Sequence, residues 1–233
     1  MVFLFYYSKI NDGDFMYKGV IFDLDGTLLN TLGDLTSAVN HVCNEYGYKT
    51  RTVEEVRSFI GNGIRNLISR VVPGGYENPR FEEMMTTFKV FYAENVAVLT
   101  HPYENVLKIL KILKDKEYKI AIVSNKRHEL VNKLNDIFFE DLINIVLGED
   151  ESKGIKKKPN SMMIDIALEK MGLDCNEVLY VGDSNVDKQT ADNANLDCCL
   201  VSYGFRDKEE LKELNAKYLI DDINDLLEIV ING

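Results

Sequence analysis

The second half of the chain alternates short apolar runs with segments of helical spacing, and this alternation limits the possible fold more than any other feature. Residues 119–123 and 178–181 are apolar runs of strand length, and a helical pattern follows each of them. Strands that are separated by helices pair in parallel, and helices then cover both faces of the sheet. The sequence therefore predicts an α/β fold on a doubly wound parallel sheet, which begins with a strand at residues 19–22.

The remaining elements are predicted from the same periodicities and from turn and capping signals. Four helices in a row follow the first strand, at 31–46, 52–60, 64–72 and 78–98. Later helices are predicted at 104–114, 126–135 and 161–171, then one that ends near 195, and others at 208–215 and 223–230; further strands are predicted at 143–147, 198–201 and 218–220. The run of four helices predicts a helical subdomain, residues 31–98, inserted into an α/β core of residues 16–30 and 99–233.

The charge balance limits the class of partner. The chain has 27 basic and 38 acidic residues, which gives a net charge of −11. This excess of negative charge disfavours nucleic acids and anionic membranes as partners. A phosphorylated substrate therefore requires a local cluster of positive charge or a metal ion.

The cysteines and the N-terminal segment carry no predicted chemistry. No two cysteines form a C-x-x-C pair, which favours free thiols in a reducing cytoplasm; they are Cys43, Cys175, Cys198 and Cys199. Residues 1–7 are apolar, but no basic residue precedes them and the run is too short to span a bilayer. We expect residues 1–15 to be an extension without a role in catalysis.

Two aspartates follow the first predicted strand, at the edge where open α/β sheets hold ligands. Asp23 and Asp25 repel each other there, so a cation or a shared proton is the expected reason for placing both at this point. Gly26 allows a sharp turn, and Thr27 adds a hydroxyl beside the pair. A simple turn is the structural alternative for this segment.

Three later segments also fall at or beside predicted strand ends. Ser124 and Asn125 follow the strand at 119–123 and could bond phosphate oxygens, although Ser124 alone could also be a helix cap. Lys158 could supply positive charge, although a lysine run is commonly solvated. Asp183 and Asp187 follow the strand at 178–181. Taken together, Asp23 and Asp183 are expected to meet across adjacent strands and to offer Mg²⁺ the oxygen ligands that it prefers.

These four segments resemble the motifs of the haloacid dehalogenase superfamily of phosphohydrolases. The first motif, D-x-D-G-T, matches residues 23–27; the second ends at Ser124; the third is Lys158; the fourth, G-D-S-x-x-D, matches residues 182–187. The resemblance implies that Asp23 is a nucleophile that forms an aspartyl-phosphate. It implies that Asp25 is the general acid for the leaving alcohol and then the base for water.

The resemblance also assigns ligands. Mg²⁺ would be held by Asp23, Asp183 and the backbone carbonyl of Asp25, with Asp187 supporting Lys158 or the metal. The transferring phosphoryl group would be bound by the side chains of Ser124, Asn125 and Lys158. Thr27 would help to orient Asp25.

Within the superfamily, Asp25 points to phosphatases and phosphomutases, since members that attack carbon lack this acid. The helical insertion matches the mobile cap of the family, which closes over the site. Residues 59–63 and 201–205 are similar to segments of the phosphoglycolate phosphatase group. The best single expectation is therefore a cytoplasmic phosphoglycolate phosphatase. Arg65 is a candidate for contacting the carboxylate of the substrate, although an arginine at such a position is more often a surface residue.

Three alternatives remain open from the sequence. A phosphomutase of the β-phosphoglucomutase type shares the motifs and the cap, and a pyrophosphatase could use the same scaffold. A non-catalytic binding module is the alternative from another class. In every enzymatic case the expected partner is a small phosphorylated metabolite, and the protein is expected to be a monomer or a homodimer.

Overall fold

The computed structural model describes residues 17–61 and 63–232, so the predicted extension at 1–15 lies outside the described residues. Its strands are β1 (Gly19–Phe22), β2 (Leu29–Asn30), β3 (His101–Pro102), β4 (Lys119–Arg127), β5 (Ile145–Glu149), β6 (Val178–Gly182), β7 (Asp197–Val201) and β8 (Tyr218–Ile220). Its α-helices are α1 (Leu32–Glu45), α2 (Val53–Phe59), α3 (Ile64–Val71), α4 (Phe81–Glu94), α5 (Val106–Asp115), α6 (His128–Phe138), α7 (Met162–Met171), α8 (Asn185–Asn193), α9 (Lys208–Glu213) and α10 (Leu226–Asn232).

Six of the strands form one parallel sheet in the order β5-β4-β1-β6-β7-β8. The strand β1 lies between β4 and β6 and is fully buried, because apolar clusters cover both faces of the sheet. Val20 and Phe22 belong to one cluster, and Ile21 belongs to the cluster on the other face. Continuous apolar runs are needed for strands that are covered on both sides. The predicted α/β class with a doubly wound parallel sheet is confirmed.

The helices α1–α4 lie in the chain between β1 and β4, within the segment 31–98 that is predicted to be the insertion. The antiparallel pair β2 and β3 joins the two segments that cross between core and insertion, with Leu29 opposite Pro102. Beside this pair, the buried carboxylate of Asp34 accepts hydrogen bonds from the backbone N–H groups of residues 98–100, at 3.1, 2.9 and 2.9 Å. Both crossings are therefore fixed to each other at the base of the insertion.

Several predicted boundaries need correction. The helix predicted at 78–98 spans only Phe81–Glu94, and the strand predicted at 143–147 is Ile145–Glu149. The predicted helix at 126–135 is wrong at its start, because β4 continues to Arg127 and α6 begins at His128. Lys126 consequently lies on a strand, and its side chain is buried like that of Ser124.

Two expectations about the chain's chemistry can be compared with the structure. All four cysteines are free thiols, as predicted, and three of them are buried. Over the described ranges, no helix has the length and apolar character that crossing a bilayer requires.

Candidate active site

The carboxyl ends of the three central strands bring the predicted site residues together. The backbone N–H of Asp23, just past β1, donates to the carbonyl of Val181 on β6 at 2.8 Å. Asp183 follows β6, and Ser124 lies near the end of β4. A cavity of about 720 Å³ opens between this edge and the helical insertion. Its lining includes six of the predicted residues: Asp23, Asp25, Ser124, Asn125, Lys158 and Asp183.

Close backbone approach explains two glycines at this edge. A Cβ atom on Gly26, which has φ of +88°, would lie 2.2 Å from Oδ2 of Asp183. A Cβ atom on Gly204 would lie 2.4 Å from the same oxygen. Since Cβ atoms do not approach oxygen so closely, only glycine allows the chain to pass the Asp183 carboxylate on both sides. The N–H of Phe205 then donates to that oxygen at 2.7 Å.

Lys158 is the centre of a buried set of polar side chains within the core. Its ammonium lies 2.7 Å from Oδ1 of Asp23, 2.8 Å from Oδ1 of Asp187 and 3.1 Å from the hydroxyl of Tyr180. Burial alone would lower the pKa of Lys158, but the charges of Asp187 and Asp23 outweigh it and raise the pKa. The lysine therefore stays protonated and holds positive charge against Asp23.

The two facing carboxylates are strongly desolvated. Burial raises the pKa of Asp23 from 3.8 to about 7, although the charge of Lys158 opposes the change. Burial, followed by the charges of Asp187 and Asp23, raises the pKa of Asp183 well above its ordinary value. A site that destabilises its own carboxylate anions in this way favours an added cation.

The donor set fits a hard divalent ion. Asp23, Asp183 and Asp187 each offer a carboxylate oxygen, and these oxygens lie within 4.8 Å of one another. Asp187, however, already accepts hydrogen bonds on both oxygens: Lys158 and Tyr180 donate to Oδ1, and the Ser184 hydroxyl donates to Oδ2 at 2.6 Å. The carboxylates best able to turn toward an ion are therefore those of Asp23 and Asp183. Oxygen ligands of this kind suit Mg²⁺.

The side-chain amide of Asn125, which lines the cavity, contacts the backbone of Lys158. Its side-chain amide donates to the carbonyl of Lys158 at 2.9 Å, and its oxygen accepts from the N–H of Lys158 at 2.6 Å. The side chain therefore fixes the backbone that carries the lysine. Ser124 is buried, lines the cavity and accepts from the N–H of Lys126 at 3.3 Å.

Thr27 lies apart from the cavity lining. Its side chain is fully buried, and its hydroxyl has no hydrogen-bond partner among the described residues. Its carbonyl accepts a hydrogen bond from the hydroxyl of Tyr203 at 3.0 Å. In this arrangement Thr27 contributes to the packing below the site.

A second buried lysine, which is not among the residues predicted for the site, contacts Asp25. The ammonium of Lys126 lies 2.6 and 2.7 Å from the two carboxylate oxygens of Asp25 and 2.8 Å from the hydroxyl of Tyr92. Tyr92 belongs to α4 in the helical insertion. The available signal was the position of Lys126 directly after Ser124 and Asn125, but the predicted helix start at 126 obscured it.

The insertion presents two cations to the cavity, and they differ in their contacts. Arg65, the residue predicted to contact the substrate carboxylate, makes a bidentate ion pair with Glu82 at the surface. Lys89 also lines the cavity and has no ion pair or hydrogen bond with any described residue. Of the two, Lys89 has the ammonium that is available to a substrate.

Comparisons with known proteins agree with this geometry. A family model described as haloacid dehalogenase-like hydrolase matches residues 20–201. The chain is 31% identical over 222 residues to the phosphoglycolate phosphatase of Psychrobacter arcticus, which covers 92% of this chain and 96% of that protein. It is 32% identical over 225 residues to the phosphoglycolate phosphatase of Vibrio cholerae, covering 92% and 97%. The crystal structure of a predicted phosphoglycolate phosphatase from Haemophilus somnus superposes with a TM-score of 0.83 at 28% identity, covering 93% and 99%.

Proposed function

Because the chain belongs to the haloacid dehalogenase-like hydrolases, we propose that it is a Mg²⁺-dependent phosphatase of a small phosphorylated metabolite, with phosphoglycolate as the best single candidate. One observation carries the proposal: Asp23 and Asp183 offer oxygens within 4.8 Å at the cavity while Lys158 pairs with Asp23. The names of the similar proteins support the choice of a phosphatase and of phosphoglycolate. The four free thiols support a reducing cytoplasm as its location.

The first half-reaction transfers the phosphoryl group to the protein. A carboxylate oxygen of Asp23 attacks phosphorus, and the bond between phosphorus and the ester oxygen breaks. The electron pair passes to the leaving oxygen, which takes a proton from the carboxyl group of Asp25. The products are the free alcohol, an aspartyl-phosphate on Asp23 and a carboxylate on Asp25.

The second half-reaction restores the enzyme. The Asp25 carboxylate accepts a proton from a water molecule, whose oxygen attacks phosphorus and breaks the bond to Asp23. Inorganic phosphate leaves, and both aspartates return to their starting forms. Asp25 lines the cavity with 23% of its side chain exposed, so it can reach both the leaving oxygen and water.

The other side chains hold charge and position. Asp23, Asp183 and the backbone carbonyl of Asp25 would bind Mg²⁺, which when bound offsets the negative charge that nucleophile and phosphate bring together. Lys158 keeps positive charge beside Asp23, while Asn125 fixes the lysine backbone. The hydroxyl of Ser124, which lines the cavity, would donate to an oxygen of the phosphoryl group.

A panel of phosphate esters tests this proposal, with phosphate release measured in Mg²⁺ and in EDTA. We expect phosphoglycolate to be hydrolysed, EDTA to stop the reaction, and Asp23→Asn to lose at least about 10⁴-fold in turnover with its circular dichroism unchanged. Isomerisation of a sugar phosphate without phosphate release would favour the phosphomutase. Selective cleavage of pyrophosphate would favour the pyrophosphatase. Full activity of Asp23→Asn would contradict the mechanism, and no release from any ester would favour the binding module.

A further inference from the structure

The contacts of Lys126 place a fixed positive charge on the proposed acid–base residue. Its ammonium meets both carboxylate oxygens of Asp25, and only 4% of the lysine side chain is exposed. A carboxylate held through both oxygens cannot rotate freely about its last bond. Lys126 therefore determines the direction in which Asp25 presents its oxygens.

All three protons of the ammonium are used by protein groups. Two serve the oxygens of Asp25, and the third serves the hydroxyl of Tyr92 at 2.8 Å. In this arrangement no N–H of Lys126 is left for a substrate. Lys126 also lines the cavity, but a hydrogen bond from it to a substrate would have to replace one of these three contacts, so its direct partner in this arrangement is Asp25.

Tyr92 brings the helical insertion into this set. It lies in the last turn of α4, is 1% exposed, and stacks on Phe88 with ring centroids 5.5 Å apart. Its hydroxyl is consequently fixed relative to α4. Any displacement of the insertion relative to the core would therefore also displace the partner that Tyr92 supplies to Lys126.

Other contacts between insertion and core lack this connection to Asp25. Arg57 donates to the carbonyl of Phe205 at 2.8 Å, and Arg206 donates to the carbonyl of Ile60 at 2.6 Å. Lys133 donates to the carbonyl of Ala93, the residue after Tyr92, at 2.9 Å. These contacts hold the insertion against the core at positions away from the carboxylate.

We propose that Lys126 is a positioning residue that holds Asp25 ready for proton transfer, and that Tyr92 makes this positioning depend on the location of the helical insertion. The inference rests on the proposed acid–base role of Asp25. With Tyr92 in place, Lys126 is fixed from two sides and Asp25 points into the cavity. If the insertion moves away, Lys126 loses the Tyr92 hydroxyl and is held by the oxygens of Asp25 alone, so that both side chains are less firmly fixed.

Two esters of similar shape separate this role from general damage to the site. Phenyl phosphate has a basic leaving oxygen that needs a proton, whereas 4-nitrophenyl phosphate has a weakly basic one that leaves without assistance. We expect Lys126→Met to lower kcat/KM for phenyl phosphate on the order of 100-fold and for 4-nitrophenyl phosphate by less than about 10-fold. Because kcat/KM reports the steps up to release of the alcohol, it isolates the half-reaction in which Asp25 donates its proton.

Tyr92→Phe keeps the ring and removes the hydroxyl, so it serves if Lys126→Met folds poorly. We expect it to lower kcat/KM for phenyl phosphate about 10-fold, again with a smaller effect on 4-nitrophenyl phosphate. Lys133→Met is the matched control, since it removes a lysine that contacts the neighbouring residue of α4 without touching Asp25. We expect this variant to treat both esters as the unaltered protein does.

The outcomes are distinct from those that test the proposed function. If the unaltered protein hydrolyses neither these two esters nor phosphoglycolate, the proposed function is wrong. If it hydrolyses both esters, two results overturn the positioning role. One is that Lys126→Met and Tyr92→Phe each lower kcat/KM equally for the two esters, and the other is that neither variant lowers kcat/KM at all. The same leaving-group dependence in Lys133→Met would show that loosening of the insertion alone is responsible, which also overturns the role of Lys126.

Discussion

Two buried lysines in this protein join an aspartate to a tyrosine, and they differ in where the tyrosine lies. Lys158 joins Asp23 to Tyr180, and all of these residues belong to the core. Lys126 joins Asp25 to Tyr92, which belongs to the helical insertion. The proposed nucleophile is therefore fixed by the core alone, whereas the proposed acid–base residue depends on contact between the two parts.

This difference indicates that the two lysines have separate roles, Lys158 beside the proposed nucleophile Asp23 and Lys126 beside the proposed acid–base residue Asp25. A carboxylate nucleophile needs constant neutralisation, and a lysine fixed among core residues supplies it whatever the insertion does. An acid–base group is useful only when the substrate is enclosed and bulk water is excluded. The proposed dependence of Asp25 on Tyr92 would meet that condition.

Of the two lysines, Lys158 is expected to have the larger effect. Lys158→Met removes the positive charge beside Asp23 and should lower kcat/KM on the order of 10³-fold, equally for phenyl and 4-nitrophenyl phosphate. The equality follows because Lys158 acts on the nucleophile and the phosphoryl group, and these are common to both esters. Steady-state kinetics, with thermal melting as a control for folding, provides the measurement. A leaving-group dependence like that expected for Lys126→Met would remove the distinction between the lysines.

The pH dependence of the free energy of unfolding tests the burial of the Asp23 carboxyl group. The pKa of Asp23 is raised by burial from 3.8 to about 7, so the folded protein binds this proton more tightly than the unfolded chain does. The associated stability is present at acid pH and is lost as the pH rises through about 4 to 7. Without metal, we expect the free energy of unfolding in urea to fall over this window by on the order of a few kcal/mol more than in Asp23→Asn.

Addition of Mg²⁺ extends the same experiment. A bound cation stabilises the ionised carboxylates, so the increase in melting temperature with Mg²⁺ should be larger at the alkaline end of the window than at the acid end. Asp183→Asn should reduce that increase strongly. An increase that is the same at both ends, and unchanged in Asp183→Asn, would contradict a metal site formed by these residues.

A smaller effect is expected for the side chain that holds the Lys158 backbone. Asn125→Ala removes two hydrogen bonds to residue 158 and should lower kcat/KM about 10-fold to 100-fold, equally for both esters. If Asn125 acts through Lys158, the double variant Asn125→Ala/Lys158→Met should be no worse than Lys158→Met alone. Fully additive losses would instead indicate a separate contact with the phosphoryl group.

The smallest effects are expected on the face of the insertion. Lys89→Ala should raise KM for phosphoglycolate about 5-fold to 10-fold while leaving 4-nitrophenyl phosphate unaffected, since only the first substrate has a carboxylate. Arg65→Ala should change either KM by less than about threefold, because Glu82 already engages its guanidinium. A larger increase in KM for phosphoglycolate in Arg65→Ala than in Lys89→Ala would indicate that Arg65, and not Lys89, contacts the carboxylate of the substrate.

The sheet and the strand-end carboxylates could be predicted because both depend on local patterns. A strand that is buried on both faces needs a continuous apolar run, as in residues 119–123, and parallel strands bring their carboxyl ends to one edge. The two-residue strands β2 and β3 have no such pattern. Their pairing depends on the meeting of two segments that are far apart in the chain.

The Lys126 contacts could not be predicted, for a related reason. A charged residue directly after an apolar run is usually the start of a loop or helix, so the extension of β4 through Lys126 was missed. Tyr92 occupies an apolar position of an amphipathic helix and therefore resembles an ordinary core residue. Its contact with Lys126 exists only because the insertion packs over the end of β4, a relation that no local pattern encodes.

The central claim, that Asp23 can accept a phosphoryl group while Asp25 handles protons, is tested most directly with Asp25→Asn and 4-nitrophenyl phosphate in Mg²⁺. Release of 4-nitrophenol needs no acid, but hydrolysis of the aspartyl-phosphate needs a base. The account predicts a burst of about one 4-nitrophenol per protein, followed by very slow turnover. It predicts that mass spectrometry after acid quenching finds the phosphoryl group on Asp23. Absence of a burst, or a phosphoryl group on another residue, would contradict the account.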